Sequence, residues 1–490
     1  MTRSSGILMP ISSLPGKYGI GTLGEEAYRF ADFLSKAGQS CWQILPAGPT
    51  TLGDSPYQSY SSFAGNPYFI DPQQLFEEGF ITEEELKNTE DLFKENSQRV
   101  DYGLLYNSRF SLLKSASLNA YQQCGEEIKR FINENFWVDG YARFMALKSA
   151  NDMKRLGEWK VKEYSDSMKD VYDLFVFIQY EFFKQWRKFK TYVNSLGIKL
   201  LGDVPIYVAY DSADVWLEPE QFLLDKDLVP EKISGVPPDY FSEDGQLWGN
   251  PLYNYEKMAR DGYSWWIRRI GKAAEMYDMI RIDHFRGFST FWAVPNGAKT
   301  AKNGMWVKGP GMDLVGTLIN WFSGTEFIAE DLGEPTPDVK ELLERSGLPG
   351  MKVLQFAFDG DPDNPHLPHN YSPDSVCYTG THDNATILEW ISSDSKGLRL
   401  AKDYAGLTCS EGYAEGMIRL GMSSVSRLFV APMSDWLGLG KEGRINVPGT
   451  PVGNWTWRMR DGAADAKLAE HIAAVARRYG RYHSAETNAR

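Results

Sequence analysis

Positive charge, cysteine and long apolar runs are all scarce in this sequence of 490 residues. Acidic residues outnumber Lys and Arg, 65 against 52, which argues against a nucleic-acid partner because phosphate backbones attract basic surfaces. The four cysteines have no Cys-x-x-Cys spacing, so neither a zinc site nor a disulfide framework is indicated. No apolar run reaches about 18 residues, and no basic segment precedes an apolar stretch near the N-terminus, so we expect a soluble cytoplasmic protein.

A glycine motif near the N-terminus formally matches the dinucleotide fingerprint Gly-x-Gly-x-x-Gly, with Gly19, Gly21 and Gly24. In a nucleotide-binding fold the glycines follow a strand at once, and an acid lies about 20 residues further on. Here seven residues separate the motif from the preceding apolar run, and residues 39–46 contain no acid. We therefore interpret the motif as a glycine-rich loop rather than a cofactor site.

Three apolar segments end in acidic residues. Residues 279–288 contain Asp283, residues 325–332 contain Glu330, and residues 375–384 contain Asp383. A single such segment is most often a strand capped by a salt bridge. Three of them in one chain favour a shared polar site at the ends of buried strands.

The first of these segments also carries Arg281, two residues before Asp283. Residues two apart in a strand point to the same face, so the guanidinium and the carboxylate are expected to be neighbours. A neighbouring positive charge favours the ionised carboxylate. We therefore expect Asp283 to be ionised at neutral pH, as a carboxylate nucleophile must be.

The chain alternates strands with helices, which is typical of α/β folds. The predicted strands are 6–11, 41–46, 198–205, 279–283, 325–330, 351–358, 375–383 and 427–432. Eight such units favour a (β/α)8 barrel, with a doubly wound sheet as the alternative. We expect one catalytic barrel over residues 1–490, a helical insertion at 75–157, a lid-like insertion at 210–262 over the active-site face, and no separate C-terminal β-domain.

Acids on separate strands beside an arginine suit a glycosidic bond better than a metal ion, which prefers several acids close together. Asp283 is the candidate nucleophile. Glu330 is the candidate acid and base, because burial or a like charge would raise its pKa. Asp383 and His382 would hold the sugar hydroxyls.

The motifs that carry this chemistry are long and in a familiar order. They are Ser13-Leu-Pro-Gly, Asp54-Ser-Pro-Tyr-Gln-Ser, Gly202-Asp203-Val-Pro-Ile-Tyr, Gly235-Val-Pro-Pro-Asp-Tyr-Phe, Arg281-Ile-Asp283-His-Phe-Arg-Gly, Ala329-Glu330-Asp-Leu-Gly, Thr379-Gly-Thr-His382-Asp383-Asn and Gly453-Asn-Trp-Thr-Trp457. In these motifs the chain resembles the amylomaltase, or disproportionating enzyme, family of 4-alpha-glucanotransferases in the alpha-amylase superfamily. Its third-strand motif ends in Pro-Ile-Tyr207 where many amylases carry Asn-His, which weakens the case for an amylase-type calcium site.

The resemblance implies a retaining transfer of alpha-1,4-glucan segments between maltooligosaccharides or to glucose, without a cofactor. It implies Asp283 as nucleophile, Glu330 as acid/base and Asp383 as transition-state stabiliser. The implied substrate-binding residues are Arg281, His382, Asp203, Ser55, Tyr57, Asp239, Gln246, Trp248 and Asn454. The alternative function is an alpha-glucan hydrolase of the same superfamily. A non-catalytic glucan-binding protein would not need both Asp283 and Glu330.

The predicted lid bears on the choice between transfer and hydrolysis. It carries Tyr240, Phe241 and Trp248. Aromatic side chains that shield a glycosyl-enzyme from water would favour transfer, because they give an acceptor sugar time to bind. The sequence gives no indication of the oligomeric state.

Overall fold

The fold is built from twelve strands and the helices between them, seen in a computed structural model that describes residues 3–51, 53–94, 98–238, 242–333, 336–450 and 452–484. In chain order the strands are β1 (Ser4–Leu8), β2 (Cys41–Gln43), β3 (Lys199–Val204), β4 (Lys232–Val236), β5 (Gln246–Pro251), β6 (Met279–Ile282), β7 (Thr290–Pro295), β8 (Met305–Lys308), β9 (Glu326–Ala329), β10 (Gly350–Val353), β11 (Ser375–Tyr378) and β12 (Leu428–Pro432).

Eight of these strands close into a parallel barrel in the order β1-β12-β11-β10-β9-β6-β3-β2. Every pairing in this sheet is parallel. Parallel neighbours need a crossover connection, and helices supply it here. The predicted (β/α)8 barrel is therefore confirmed, and the doubly wound sheet is not found.

Helices connect the strands and form the insertions. They are α1 (Glu25–Lys36), α2 (Pro72–Glu77), α3 (Glu83–Leu92), α4 (Tyr102–Glu134), α5 (Val138–Ala150), α6 (Lys169–Ser195), α7 (Ala213–Leu217), α8 (Tyr255–Arg260), α9 (Ser264–Met276), α10 (Met312–Trp321), α11 (Pro337–Ser346), α12 (Ile387–Ser393), α13 (Ser395–Ala405), α14 (Tyr413–Ser423), α15 (Met433–Trp436) and α16 (Ala466–Arg478). After β12 the chain forms α15, a long loop and α16, which packs against α1. None of the helices in the described ranges is long and apolar enough to cross a bilayer.

Four predicted strands run at least three residues too far. The first two were predicted to end at residues 11 and 46, but β1 ends at Leu8 and β2 at Gln43. The sixth was predicted over 351–358, but β10 ends at Val353 and the next residues, Leu354–Phe356, form a 3-10 turn. The seventh was predicted to reach Asp383, but β11 ends at Tyr378. There the side chain of Asn384 accepts from the backbone N–H of Thr381, so local hydrogen bonds replace the strand ladder. Asp383 consequently lies on a loop rather than at a strand end.

The predicted helical insertion corresponds to α3, α4 and α5, and α4 and α5 pack against α6. Thr82 and Glu85 form a capping box at the start of α3, in which the side chain of each bonds the backbone N–H of the other. The region 210–262, predicted as a lid-like insertion, contributes β4 and β5 to a four-stranded antiparallel sheet. The other two strands of that sheet, β7 and β8, come from beyond β6. The role of 210–262 as a lid stays a prediction.

Close packing explains the glycine motif of the loop after β1. A side chain at Gly21 would put its Cβ 1.8 Å from the carbonyl oxygen of Ile11. One at Gly24 would lie 2.0 Å from a carboxyl oxygen of Asp71. The glycines are therefore required by close contacts within the loop and with Asp71, which precedes α2.

Candidate active site

Strand register brings four charged side chains to one end of the barrel. β3 and β6 pair so that Asp203 lies opposite Arg281, and the last residues of β6 and β9 lie opposite each other. Asp283 and Glu330 are the next residues after those two strands, so they leave the sheet side by side. Catalytic groups of (β/α)8 barrels lie at this C-terminal face of the strands.

Arg281 lies at the centre of this cluster. Its Nη1 donates to both carboxyl oxygens of Asp203, at 2.8 and 2.6 Å, and to Oδ1 of Asp283 at 2.9 Å. Its Nη2 is 4.0 Å from Oε2 of Glu330. Burial alone would lower the pKa of the guanidinium, but the surrounding carboxylates together have the larger effect and raise that pKa overall. In the described ranges no three His, Cys, Asp or Glu side chains gather in a way that could hold a metal ion.

Glu330 is buried, and its two oxygens face backbone donors. Oε2 accepts from the N–H of His284 at 2.7 Å and Oε1 from the N–H of Leu332 at 2.8 Å. Burial raises the pKa of Glu330 to about 7, and Asp283 adds to that rise while Arg281 opposes it. The predicted upward shift is confirmed, and the carboxyl is partly protonated at neutral pH.

The pKa of Asp283 is set mainly by burial and not, as expected from the sequence, by Arg281. Burial raises the pKa of Asp283 to about 6, and Asp203 and Asp383 add to the rise, whereas Arg281 lowers it. The guanidinium therefore limits an upward shift instead of producing a downward one, because burial disfavours the charged form more strongly. The pKa still lies below 7 and below that of Glu330, so the carboxylate is mostly ionised at neutral pH.

Asp383 is held by a histidine and an asparagine. Nε2 of His382 is 3.4 Å from Oδ2, and Nδ2 of Asn446 donates to Oδ1 at 2.6 Å. Burial would raise the pKa of Asp383, but His382 and Asn446 outweigh it and lower the pKa to about 2. Burial likewise would lower the pKa of His382, but Asp383 raises it overall. Each side chain therefore favours the charged form of the other.

Tyr57 connects the two groups of acids, which are the cluster around Arg281 and the Asp383 carboxylate with its His382 partner. Its hydroxyl donates to Oδ2 of Asp203 at 2.7 Å, and its ring stacks on His382 with centroids 5.1 Å apart. Trp455 lies 5.9 Å from the Tyr57 ring and 6.0 Å from the His382 ring. Ser55 accepts the backbone N–H of Tyr57 at 3.3 Å and so supports the turn that delivers this ring.

Trp248 and Gln246 lie on β5 and form a second wall. The Trp248 ring meets the His284 ring edge-on at 4.8 Å, and its Nε1 donates to the side chain of Gln246 at 3.2 Å. Burial lowers the pKa of His284 to about 3, with Arg286 adding to the effect, so this ring is neutral. His284 has a left-handed backbone with φ of 52°, and this conformation accompanies the N–H bond to Glu330.

The predicted binding residue Asn454 makes its hydrogen bonds within its own loop. The side chain of Asn454 accepts the N–H of Val447 at 2.9 Å and donates to the carbonyl of Thr450 at 2.8 Å, so its bonds brace its own loop. Asp239 lies outside the described residues, as do the predicted lid residues Tyr240 and Phe241.

A family profile described as 4-alpha-glucanotransferase matches residues 9–464. This chain belongs to the 4-alpha-glucanotransferase family. A 4-alpha-glucanotransferase of Clostridium butyricum is 46% identical over 487 residues, covering 96% of this chain and 100% of that relative. One of Thermus thermophilus is 44% identical over 500 residues, covering 97% and 98%. The resemblance inferred from the motifs is confirmed.

Solved structures of amylomaltases have the same fold as this 4-alpha-glucanotransferase family member. The amylomaltase from Streptococcus agalactiae, solved in complex with acarbose, superposes with a TM-score of 0.95 at 39% identity and covers 98% of this chain and 100% of its own. The amylomaltase from Corynebacterium glutamicum gives 0.80 at 18% identity, covering 99% and 75%, which speaks for the fold alone.

Two contacts in this site were missed in the sequence analysis. Asn446 reaches Asp383 from 63 residues further along the chain, and nothing near Asn446 resembles an acid motif. The N–H that His284 donates to Glu330 depends on backbone conformation, which residue types do not encode. The position of His284 directly after Asp283 was the available signal for the second contact.

Proposed function

We propose that this protein transfers alpha-1,4-glucan segments from one maltooligosaccharide to another or to glucose, with retention through a covalent glycosyl-enzyme. The observation that carries the proposal is the pair of carboxyl groups, partly buried Asp283 and buried Glu330, beside the guanidinium of Arg281. Their pKa values of about 6 and about 7 leave one mostly ionised and the other partly protonated at neutral pH. A retaining site needs one carboxylate to attack and one carboxyl to protonate the leaving oxygen.

In the first step Asp283 attacks the anomeric carbon. Arg281 bonds Oδ1, so we assign Oδ2 as the attacking atom. The C1–O bond to the rest of the glucan breaks, its electron pair goes to the leaving oxygen, and Glu330 gives that oxygen its proton. The products are a shortened glucan with a free 4-hydroxyl and a sugar ester of Asp283.

In the second step an acceptor sugar replaces the aspartyl ester. Its 4-hydroxyl gives its proton to ionised Glu330, the hydroxyl oxygen bonds C1, and the C1–Asp283 bond breaks to restore the carboxylate. Esterification removes the negative charge of Asp283, which otherwise raises the pKa of Glu330. The acid of the first step thereby becomes a better base for the second.

Asp383 is proposed to stabilise the positive charge that develops on the sugar. Its low pKa keeps it ionised throughout the cycle, and part of its carboxylate is accessible, with 45% of the side chain exposed. An anion fixed in place before the reaction stabilises such a transition state without reorganisation. His382 supports Asp383 from its buried side, and Arg281 supports Asp283 and Glu330.

Seven further residues are proposed to bind the donor and acceptor sugars. They are Asp203, Ser55, Tyr57, Asp239, Gln246, Trp248 and Asn454. The position of Tyr57 between the two groups of acids supports its role beside the reacting sugar. The edge-on packing of Trp248 against His284, next to Asp283 in the chain, supports a role for Trp248 in shielding the glycosyl-enzyme from water.

Incubation with maltotriose tests the proposal. We expect glucose together with a ladder of maltooligosaccharides longer than the substrate, resolved by anion-exchange chromatography over a time course. Glucose and maltose without elongation would contradict transfer and support the hydrolase. The anomeric configuration of the first products, read by NMR, tests retention separately.

The natural partners are proposed to be alpha-1,4-glucans, maltooligosaccharides and glucose, and no nucleic acid or membrane. The cytoplasmic location expected from the sequence stays a prediction, which fractionation of cells that produce the protein would test.

A further inference from the structure

The segment after α15 reaches back across the barrel mouth to Asp383. Asn446 is buried, its Nδ2 donates to Oδ1 of Asp383 at 2.6 Å, and its backbone N–H donates to the carbonyl of His382 at 3.2 Å. One residue therefore contacts both His382 and Asp383. Asp383 lies beyond the end of β11, so no strand ladder holds it.

Arg444 joins the loop of Asn446 to the loop of Asp383. Its Nε donates to the carbonyl of Asn446 at 3.0 Å, and its Nη2 lies 3.4 Å from the backbone carbonyl of Asp383. Its Nη1 donates to Glu389 at 3.3 Å, near the start of α12. The two loops are thus joined by three separate contacts around Asp383, and only one of these, the Asn446 amide, reaches the carboxylate.

We propose that Asn446 is a positioning residue of the transfer reaction, which fixes the orientation and the ionised state of the Asp383 carboxylate. The inference rests on the proposed function, because it assigns Asn446 an effect on the transition state through Asp383.

The geometry of the carboxylate explains why this contact matters. Oδ1 is bonded by Asn446, and Oδ2 faces Nε2 of His382 at 3.4 Å. With one donor at each oxygen, the plane of the carboxylate is fixed. Without the amide, the group is free to rotate about its Cβ–Cγ bond, and a fixed anion contributes more to a transition state than a mobile one.

The experiment compares Asn446→Ala and Asn446→Asp with wild type in maltotriose disproportionation. For Asn446→Ala we expect kcat to fall roughly 10- to 100-fold, the range for loss of a hydrogen bond to a charged group, with KM changed by less than about threefold. Asn446→Asp keeps the size and shape but faces Asp383 with a second carboxylate, so we expect a loss at least as large. If Asn446→Ala lowers the melting temperature, the kcat of Asn446→Asp is used to test the proposal instead.

A double-mutant cycle separates positioning from a general role in folding. Asp383→Asn and Asp383→Asn/Asn446→Ala are compared with a glycosyl fluoride donor, whose good leaving group keeps slow variants measurable. If Asn446 acts through Asp383, adding Asn446→Ala to Asp383→Asn costs less than about threefold. A full additive loss, or a kcat of Asn446→Ala within twofold of wild type, would overturn the proposal.

Glu442→Ala is the matched control. The Glu442 carboxylate accepts the backbone N–H of Gly440 at 3.0 Å in the same loop, so its loss perturbs the loop without touching Asp383. We expect wild-type kcat. A loss equal to that of Asn446→Ala would show that general loosening of the loop is responsible and would overturn the proposal. Failure of wild type to elongate maltotriose would instead refute the proposed function, so the two failures are distinguishable.

Discussion

Asp283 and Glu330 follow the ends of paired strands, whereas Asp383 lies on a loop that begins after β11 has ended. The strand-end pair lies against one cation, and burial raises the pKa of both groups. The loop carboxylate is contacted by His382 and Asn446, which lower its pKa to about 2. The groups proposed to form a bond or to transfer a proton are thus held at strand ends, where burial disfavours their charged forms. The group proposed to stay ionised is held by His382 and Asn446.

The largest expected effect comes from breaking the strand-end pair. Asp283→Asn and Glu330→Gln should each lower maltotriose turnover by several orders of magnitude, because each removes a group that forms or breaks a bond in the reaction. Initial rates per folded molecule, with circular dichroism as the check on folding, measure this.

Two controls use the other ends of the same strands. Asp278 directly precedes β6, and Glu326, the first residue of β9, pairs with Arg427 at 3.2 Å. Asp278→Asn and Glu326→Gln should keep activity close to wild type. Wild-type activity in Asp283→Asn or Glu330→Gln would contradict the assignment of the catalytic pair.

A smaller loss is expected from breaking the loop carboxylate. Asp383→Asn should lower kcat by roughly 100- to 1,000-fold, the range seen when one preorganised electrostatic group is removed from an active site. Because the substitution leaves the attacking and protonating groups in place, the glycosyl-enzyme should still form, and mass spectrometry of the variant mixed with a glycosyl fluoride should detect it. A loss as large as that of Asp283→Asn would remove the distinction between the two regions.

The pH dependence sharpens the comparison. Activity needs ionised Asp283 and protonated Glu330, so kcat/KM should rise with pH near 6 and fall above about 7. Arg281 lowers both pKa values, so Arg281→Lys, which cannot reach all three acids, should raise both and move the optimum to higher pH. A rise of one unit in the pKa of Asp283 should lower kcat/KM at pH 6 by roughly fivefold, because the ionised fraction falls from about one half to about one eleventh. Profiles from pH 4 to 9 measure it, and an optimum moved to lower pH would refute the sign.

The smallest effect is expected at the residue that connects the two regions. Tyr57→Phe removes the bond to Asp203 and keeps the ring stacked on His382, so kcat/KM should fall by roughly two- to tenfold, as for one net hydrogen bond. Tyr57→Ala removes both contacts and should cost clearly more. Equal effects of the two variants would mean that the ring contributes nothing.

The sequence predicted the barrel strands better than it predicted the features between them. Apolar runs that end in polar residues indicated the strands that carry Asp203, Asp283 and Glu330, because both faces of a parallel strand are buried. The same reasoning wrongly extended the seventh strand to Asp383. An apolar pattern does not show local hydrogen bonds such as that from Thr381 to Asn384. The antiparallel sheet was missed because its strands come from two segments separated by β6.

Residue types and their order therefore determined the barrel, the family and the identity of the three carboxylates, because burial and strand periodicity leave a direct record in the sequence. Tertiary structure decided how burial and neighbouring charges balance in the pKa of each group. Desolvation of Asp283 outweighs the charge of Arg281, and the return of a distant segment puts Asn446 against Asp383. Both depend on distances between parts of the chain that local sequence cannot encode.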